Sequence, residues 1–242
     1  MITGYTRPVT RLHIPAELDG HHVTAIATNA FRHDLRQRSI LQRVTIASGV
    51  TSIGDSAFEY CDQLESIAIP DTLTHIGDSA FSSTRALRKF DLSPEHPVFE
   101  VVDGVLFNKR THALLCCPAA LEVGDLRVPE GTLAIAPHAF ANCRNLTGVS
   151  LPDGLESIGK FAFTGCRSLQ RVALPDSLTT IGFGAFNGCS HLSEVIGREG
   201  LTTIESYAFS GCEALTFICL PPSVTDVGAD AFKGCPDLKI QR

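Results

Sequence analysis

Residues 155–174 read LESIGKFAFTGCRSLQRVAL, and this phrase returns with edits along the whole chain. Its most regular element is Ala-Phe. The phenylalanines stand at Phe31, Phe58, Phe81, Phe140, Phe163, Phe186, Phe209 and Phe232, each after an alanine, at spacings of 27, 23, 59, 23, 23, 23 and 23. A fixed period of about 20–50 residues is the signature of a solenoid, whose units are too small to bury an apolar face alone and stack on their neighbours instead. The chain therefore reads as one repeat array over residues 1–242, broken by an irregular insertion at about 93–125.

Working outward from that phrase, the units share the grammar L-x-x-I-x-I-P-x-x-L-T-x-I-G-x-x-A-F-x-x-C. Leu64, Ile67, Ile69, Pro70, Leu73, Ile76, Gly77, Ala80 and Phe81 spell it out in one unit. The alternating L-x-x-I-x-I piece predicts a short half-buried strand. Pro70, Pro152, Pro175 and Pro221 end it, because proline cannot donate to a ladder. The L-T-x-I piece predicts a second short extended segment. Gly54, Gly77, Gly159, Gly182 and Gly228 follow it, as if a corner there needed an unusual backbone angle. The A-F-x-x-C piece is long enough for one helical or 3₁₀ turn, with each Phe turned inward onto the Phe of the next coil. Stacked strands would pair in parallel at about 4.8 Å per coil.

Nine cysteines suggest a disulfide framework until they are placed on the repeat. Cys61, Cys143, Cys166, Cys189, Cys212 and Cys235 all fall three residues after a repeat Phe. One phase means one place in every coil, so they read as a column of buried thiols. Asp34 and Thr84 hold that phase in two other units. Cys116-Cys117, at the end of the insertion, read as two thiols rather than a vicinal disulfide.

In the opening unit, Arg11–Ile14 alternates as a strand and Pro15 stops it. Asp19-Gly20 marks an extra turn, and His21-His22 reads as exposed turn rather than as a metal pair, since no third ligand follows at a recognisable spacing. Within the insertion, Val101-Val102, Asp103-Gly104 and Val105-Leu106-Phe107 predict a hairpin or meander. It would serve as a binding element or as a spacer that alters curvature. Asn145-Leu146-Thr147 matches a glycosylation sequon, relevant only in a eukaryotic secretory pathway. The chain closes partway into a further strand, and unpaired strand edges at the ends would favour end-to-end self-association.

The net charge of −6 argues against a nucleic-acid partner. No stretch reaches the roughly 20 apolar residues of a membrane span, so no membrane insertion is expected. MITGYTRPVT lacks the apolar core of a signal peptide, which implies a cytosolic chain or a leader outside this sequence. The sequence holds no nucleophile elbow, HExxH pair, phosphate-binding loop or dinucleotide fingerprint. The expectation is accordingly no enzyme, no cofactor and no metal. Cys219 is the best-placed thiol for any other chemistry.

On these residues the chain resembles the BspA-like class of leucine-rich repeats, of about 23 residues each, found largely in bacterial surface and secreted proteins. IPAELDGHHVTAIATNAF and VVDGVLFNK are similar to recurring variants of that class. The resemblance implies a leucine-rich repeat solenoid, a right-handed superhelix with parallel strands on its concave face. It also implies a cell-surface or secreted location and adhesion to a protein partner, such as a host or extracellular-matrix protein. A fold alone does not carry a function, and the alternative is a structural spacer or self-associating scaffold domain of a larger protein.

In such a solenoid the outward strand residues lie on the concave sheet. The period places Arg11 and His13, Arg43 and Thr45, Ser66 and Ala68, Lys89 and Asp91, Gly148 and Ser150, Arg171 and Ala173, Glu194 and Ile196, and Phe217 and Cys219 there. From these columns the candidate binding residues are Arg11, His13, Arg43, Lys89, Asp91, Arg171, Glu194, Ile196 and Phe217, arginine and aromatic side chains being the usual interface anchors.

Overall fold

The computed structural model of the chain describes residues 1–4, 7, 9–33 and 39–241. They form two compact units, one of Met1–Arg110 with Cys116–Leu121 and one of Thr111–Leu115 with Glu122–Arg242. Each unit is a β-solenoid of stacked coils, and the described residues contain no helix.

In the first unit the L-x-x-I-x-I segments pair in parallel in the order Arg11–Ile14, Arg43–Ile46, Ser66–Ala68, Lys89–Asp91. The L-T-x-I segments form a second parallel sheet of Ala25–Ile26, Ser52–Ile53 and His75–Ile76. The second unit repeats this with Asp125–Arg127, Gly148–Ser150, Arg171–Ala173, Glu194–Ile196, Phe217–Cys219 and Lys239–Gln241 in the longer-strand sheet. Its short-strand sheet runs through Ala134–Ile135, Ser157–Ile158, Thr180–Ile181, Thr203–Ile204 and Asp226–Val227. The P-x-x-L step between the two strands of a coil is a turn, in which Leu73 N–H donates to the Pro70 carbonyl and Leu178 N–H to the Pro175 carbonyl.

The Phe column is the core. In the second unit the rings of Phe140, Phe163, Phe186, Phe209 and Phe232 lie face to face with centroids 4.6 to 5.5 Å apart and planes within 6°. In the first unit Phe31, Phe58 and Phe81 stack at 5.2 and 5.9 Å, and Phe90 meets the edge of Phe81. Parallel offset rings gain quadrupolar attraction beyond the area they bury.

The A-F-x-x-C segment departs from the expected helical turn. Cys61 N–H does reach back to the Phe58 carbonyl, and Ala57 N–H to Gly54. Between them, however, Ser56, Phe58 and Tyr60 send their N–H groups across to Asp78, Ala80 and Ser82 in the next coil. Ser56 and Tyr60 hold φ of 53° and 61°, and the same two phases are positive at His138 and Asn142, Phe161 and Gly165, Gly184 and Gly188, and Tyr207 and Gly211. A helix needs consecutive right-handed residues and keeps its hydrogen bonds within the segment. Here a left-handed residue interrupts every run, and the freed donors serve the stack instead.

The glycines after Ile are also explained differently from the sequence reading. None of Gly54, Gly77, Gly159, Gly182 and Gly228 has a positive φ. They are small because the previous coil's backbone passes directly against them. A Cβ on Gly182 would lie 2.7 Å from the Ile158 carbonyl oxygen, and one on Gly159 2.8 Å from Pro137 N. On Gly54 and Gly228 it would collide with the backbone nitrogens of Thr28 and Ser206.

Insertion residues 93–125 contain an antiparallel hairpin, Phe99–Val102 with Val105–Asn108, closed by Asp103 and Gly104 at φ of 50° and 83°. Two successive positive angles make the hairpin turn whose twist suits its strands. Val98, Phe99, Val105, Leu106 and Phe107 are buried. His96, not singled out by the sequence, is fully buried beneath the hairpin. Its Nδ1 accepts the N–H groups of Val98 and Phe99 at 3.2 and 3.1 Å, so Nε2 carries the proton and donates to the Pro70 carbonyl at 3.1 Å. Further along, Ala113 and Leu114 pair in parallel with Ala134 and Ile135, so this part of the insertion is a regular coil strand of the second unit. The Asp19-Gly20 turn likewise closes a small hairpin, with His21–His22 as its exposed second strand rather than as turn residues.

Removing one ring from the middle of the column, as in Phe186→Ala, is expected to lower stability by about 3–5 kcal/mol, read as a shifted urea or thermal midpoint. Gly182→Ala should cost about 1–3 kcal/mol through backbone displacement. Gly154→Ala, where no atom lies within 4 Å of the added Cβ, should stay within about 0.5 kcal/mol of the parent.

Candidate protein-binding faces

The longer strands have one side in the core and one side out. Val44, Ile67 and Phe90 are buried in the first unit, and Val149, Val172, Val195 and Ile218 in the second. Alternation then sends the flanking residues outward. In the first unit the outward residues form two columns in register. Arg11, Arg43, Ser66 and Lys89 pair in one, and His13, Thr45, Ala68 and Asp91 in the other. Arg11, His13, Arg43, Lys89 and Asp91 are exposed, and Lys89 Nζ bonds Asp91 Oδ1 at 2.8 Å. A depression of about 400 Å³ lies on this face, lined by Arg43, Thr45, Glu65, Ser66, Lys89 and Asp91 among others.

In the second unit the first column runs Asp125, Gly148, Arg171, Glu194, Phe217, Lys239. In the second column Arg127 pairs with Ser150, and Ala173, Ile196, Cys219 and Gln241 follow in order. Arg171 is exposed, Ile196 is 39% exposed, and Glu194 and Phe217 are half-buried. Ile196 and Phe217 stand diagonally on neighbouring strands, which makes a small apolar patch beside Arg171 and Glu194. The sequence reading passed over Asp125, Arg127, Lys239 and Gln241, although the periodic Leu126 and the last residues of the chain mark both strands. Asp125 matters to the shape of this face. Its carboxylate lies over Gly148 and accepts the Thr147 hydroxyl at 3.1 Å, filling the space that the glycine leaves.

A second feature escaped the sequence because it lies off the Phe phase. On the turn side of the second unit, His138, Phe161, Phe183 and Tyr207 form a row with successive ring centroids 5.2, 5.2 and 5.5 Å apart. Phe161 lies over Gly184, where a Cβ would sit 2.5 Å from its ring.

No disulfide joins any of the nine cysteines. Those at the repeat phase are packed against the neighbouring coil. Cys61, Cys166, Cys189, Cys212 and Cys235 donate their S–H groups to the carbonyls of Phe31, Phe140, Phe163, Phe186 and Phe209 at 3.0 to 3.2 Å. Thr84 holds the same phase by donating to Phe81 at 2.6 Å, while Asp34 lies outside the described residues. Burial pushes the thiols of Cys61 and Cys189 from 9.0 up to about 12, and raises those of Cys116, Cys212 and Cys235 as well. A nucleophilic cysteine needs the opposite shift. Cys219 alone stands on an outward sheet face, half-buried. Among the described residues no group of three His, Cys, Asp or Glu side chains is placed to hold a metal ion, and no helix is long and apolar enough to cross a membrane.

With two units of one coil grammar and their outward columns in place, the comparison with known families is decisive. The BspA type leucine-rich repeat region, in six copies, matches residues 9–109 and 119–239. The chain belongs to the BspA-type leucine-rich repeat family. This BspA-type array is similar in structure to a leucine-rich cell surface protein from Faecalibacterium prausnitzii A2-165, with 25% identity and a TM-score of 0.72 over 99% of this chain and 89% of that one. The pneumococcal vaccine antigen PcpA shares the fold at 23% identity and a TM-score of 0.58, over 96% of this chain and 78% of its own. So does a leucine-rich repeat protein from Eubacterium ventriosum ATCC 27560, at 21% identity and 0.55, over 93% and 82%. No curated protein sequence matches the array.

The thiol column sets an alkaline limit on stability. Folded Cys61 and Cys189 keep their protons up to about pH 12, whereas the unfolded chain releases them from about pH 9. The folded form therefore holds the excess protons in that window. Stability should be insensitive to these groups below pH 9 and fall between about pH 9 and 12, by up to about 1.4 kcal/mol per pH unit for each thiol. Urea titrations at pH 8, 9.5 and 11 check this, and a Cys189→Ala variant should show a shallower decline.

Proposed function

We propose that this array is a non-enzymatic protein-recognition module that acts at or outside the cell surface, in adhesion or in recognition of a host or other partner protein. Its working surfaces are the outward faces of the longer-strand sheets. The observation that carries the reading is the contrast along each strand. Inward residues stay within Val, Ile, Leu and Phe from coil to coil, while outward ones change in chemistry along the second unit, from Arg171 to Glu194 to Phe217, and in the first unit only Arg11 and Arg43 repeat. A purely structural ladder has no use for that variety, whereas recognition needs an individual pattern on a rigid support. Family membership adds support, and so does likeness to a protein described as a leucine-rich cell surface protein. In the second unit Arg171, Ile196 and Phe217 supply the arginine and apolar groups that anchor interfaces, and Glu194 sets charge complementarity.

Immobilised array is expected to capture a saturable partner from extracellular-matrix proteins or from material of the natural setting, identified by mass spectrometry. Arg171→Glu combined with Phe217→Ala should weaken that partner at least about 100-fold if both are hot spots of about 1.4–2 kcal/mol or more, with an unchanged circular dichroism spectrum. Full retention of binding in the double variant would remove this face from the proposal. Concentration-dependent mass in light scattering with no partner captured would replace it with a self-associating scaffold.

A further inference from the structure

We propose that the sheet face of the first unit seats an acidic side chain of a partner protein in the slot above Ser66, between Arg43 and Lys89. The proposal rests on the protein-recognition reading above and adds the chemistry of the partner at this face.

The slot follows from register. Arg43 and Lys89 flank Ser66 on the two neighbouring strands, and Thr45 and Asp91 flank Ala68. Two long cationic side chains thus stand two strand spacings apart, about 9.6 Å, over a floor of two small residues. That is where the depression of about 400 Å³ lies. In the second unit the corresponding gap over Gly148 is filled by the Asp125 carboxylate of the same chain. Over Ser66 the depression stays open, with the carboxylates of Glu65 and Asp91 in its lining and Asp91 turned to Lys89.

Charge supplies the second argument. Arg11 and Arg43 pair directly on adjacent strands, an arrangement of like charges that weakens a sheet. Among the described residues neither forms an ion pair, and nor does Arg88 at the end of the slot. Lys89, by contrast, is already engaged by Asp91 at 2.8 Å. A carboxylate entering above Ser66 would relieve the Arg11–Arg43 repulsion and could accept from the Arg43 fork and the Ser66 hydroxyl together. Guanidinium prefers such a two-pronged planar partner. The same lining disfavours a polyanion, because Glu65 and Asp91 border the slot and would repel a second and third negative group. A single Asp or Glu on an extended segment or loop fits; a sulfated chain does not.

The test is to pan a random peptide display library on the whole chain, then measure the selected peptides by fluorescence anisotropy, with a heparin oligosaccharide in parallel. The expected result is a pool enriched in Asp and Glu. A synthetic member should bind at least tenfold more weakly to Arg43→Glu and to the slot-filling Ser66→Gln, lose affinity when its acid becomes the amide, and bind Arg171→Glu normally. Arg11→Glu should leave the melting temperature unchanged or raise it, since it turns a like pair into an opposite one. A pool with no acidic enrichment, peptides indifferent to both Arg43→Glu and Ser66→Gln, or heparin binding that outcompetes the peptides and vanishes in Arg43→Glu would each overturn the proposal. If a natural partner is lost with the Arg171 and Phe217 substitutions yet kept by Arg43→Glu and Ser66→Gln, this inference fails while the recognition reading stands. If no partner is captured at all, the recognition reading itself fails.

Discussion

Backbone hydrogen bonds between coils are the constraint on which the rest of the array depends. In the second unit Phe140, Phe163, Phe186 and Phe209 each donate an N–H group to the alanine before the next repeat Phe, at 2.7 Å every time. The short-strand sheet ties the same coils with donors that point the other way, as when Gly182 N–H reaches the Ile158 carbonyl at 2.9 Å. With both sides of a coil held at one strand spacing, residues of equal phase have no freedom to avoid each other. Rings must stack flat, the residue after Ile lies against the previous coil's backbone, and the residue against the Phe carbonyl must be small and able to donate. Phe, Gly and Cys are the answers the sequence uses.

Some positions take other answers. Glu205 replaces glycine, keeps the same N–H bond to the previous coil at 2.9 Å, and turns its carboxylate to the Phe183 N–H at 2.7 Å as a charged cap on a backbone donor. Thr84 replaces cysteine and bonds within its own coil. Phe161 and Tyr207 hold left-handed φ of 54° and 60°, a conformation that disfavours bulky residues. The stack over-determines it, because their N–H groups are committed to the carbonyls of Phe183 and Ala229 in the next coil. Strain at a single turn is outweighed by an array of bonds that would all have to shift with it.

The same rigidity makes the outward faces useful. A sheet whose inner side stays apolar from coil to coil can vary its outer side at little cost to the fold, since the exposed residue of one coil touches only its neighbours in the column. The first unit uses this freedom for a cationic slot with a small floor, and the second for a mixed face in which an apolar diagonal lies beside opposite charges. The hairpin of the insertion, pinned by His96, is antiparallel and so departs from the parallel coil grammar.

The period of Ala-Phe, the alternation along each strand and the phase of the cysteines were legible in the sequence by themselves. They determined the coil, its inward residues and the outward columns, because spacing along the chain is covalent and a stack converts equal spacing into equal position. The sequence could not tell a helical turn from overlapping turns, since that depends on whether N–H groups bond within the segment or across to the next coil. Nor could it tell that the glycines after Ile answer to a neighbour's backbone rather than to their own dihedral angles. The face shows the same division. Ser66 and Gly148 are both small residues at one phase, yet one floors an open slot and the other lies under the Asp125 carboxylate. Only the tertiary structure decided between them, because the space above a residue in a solenoid belongs to the side chains of the coils on either side.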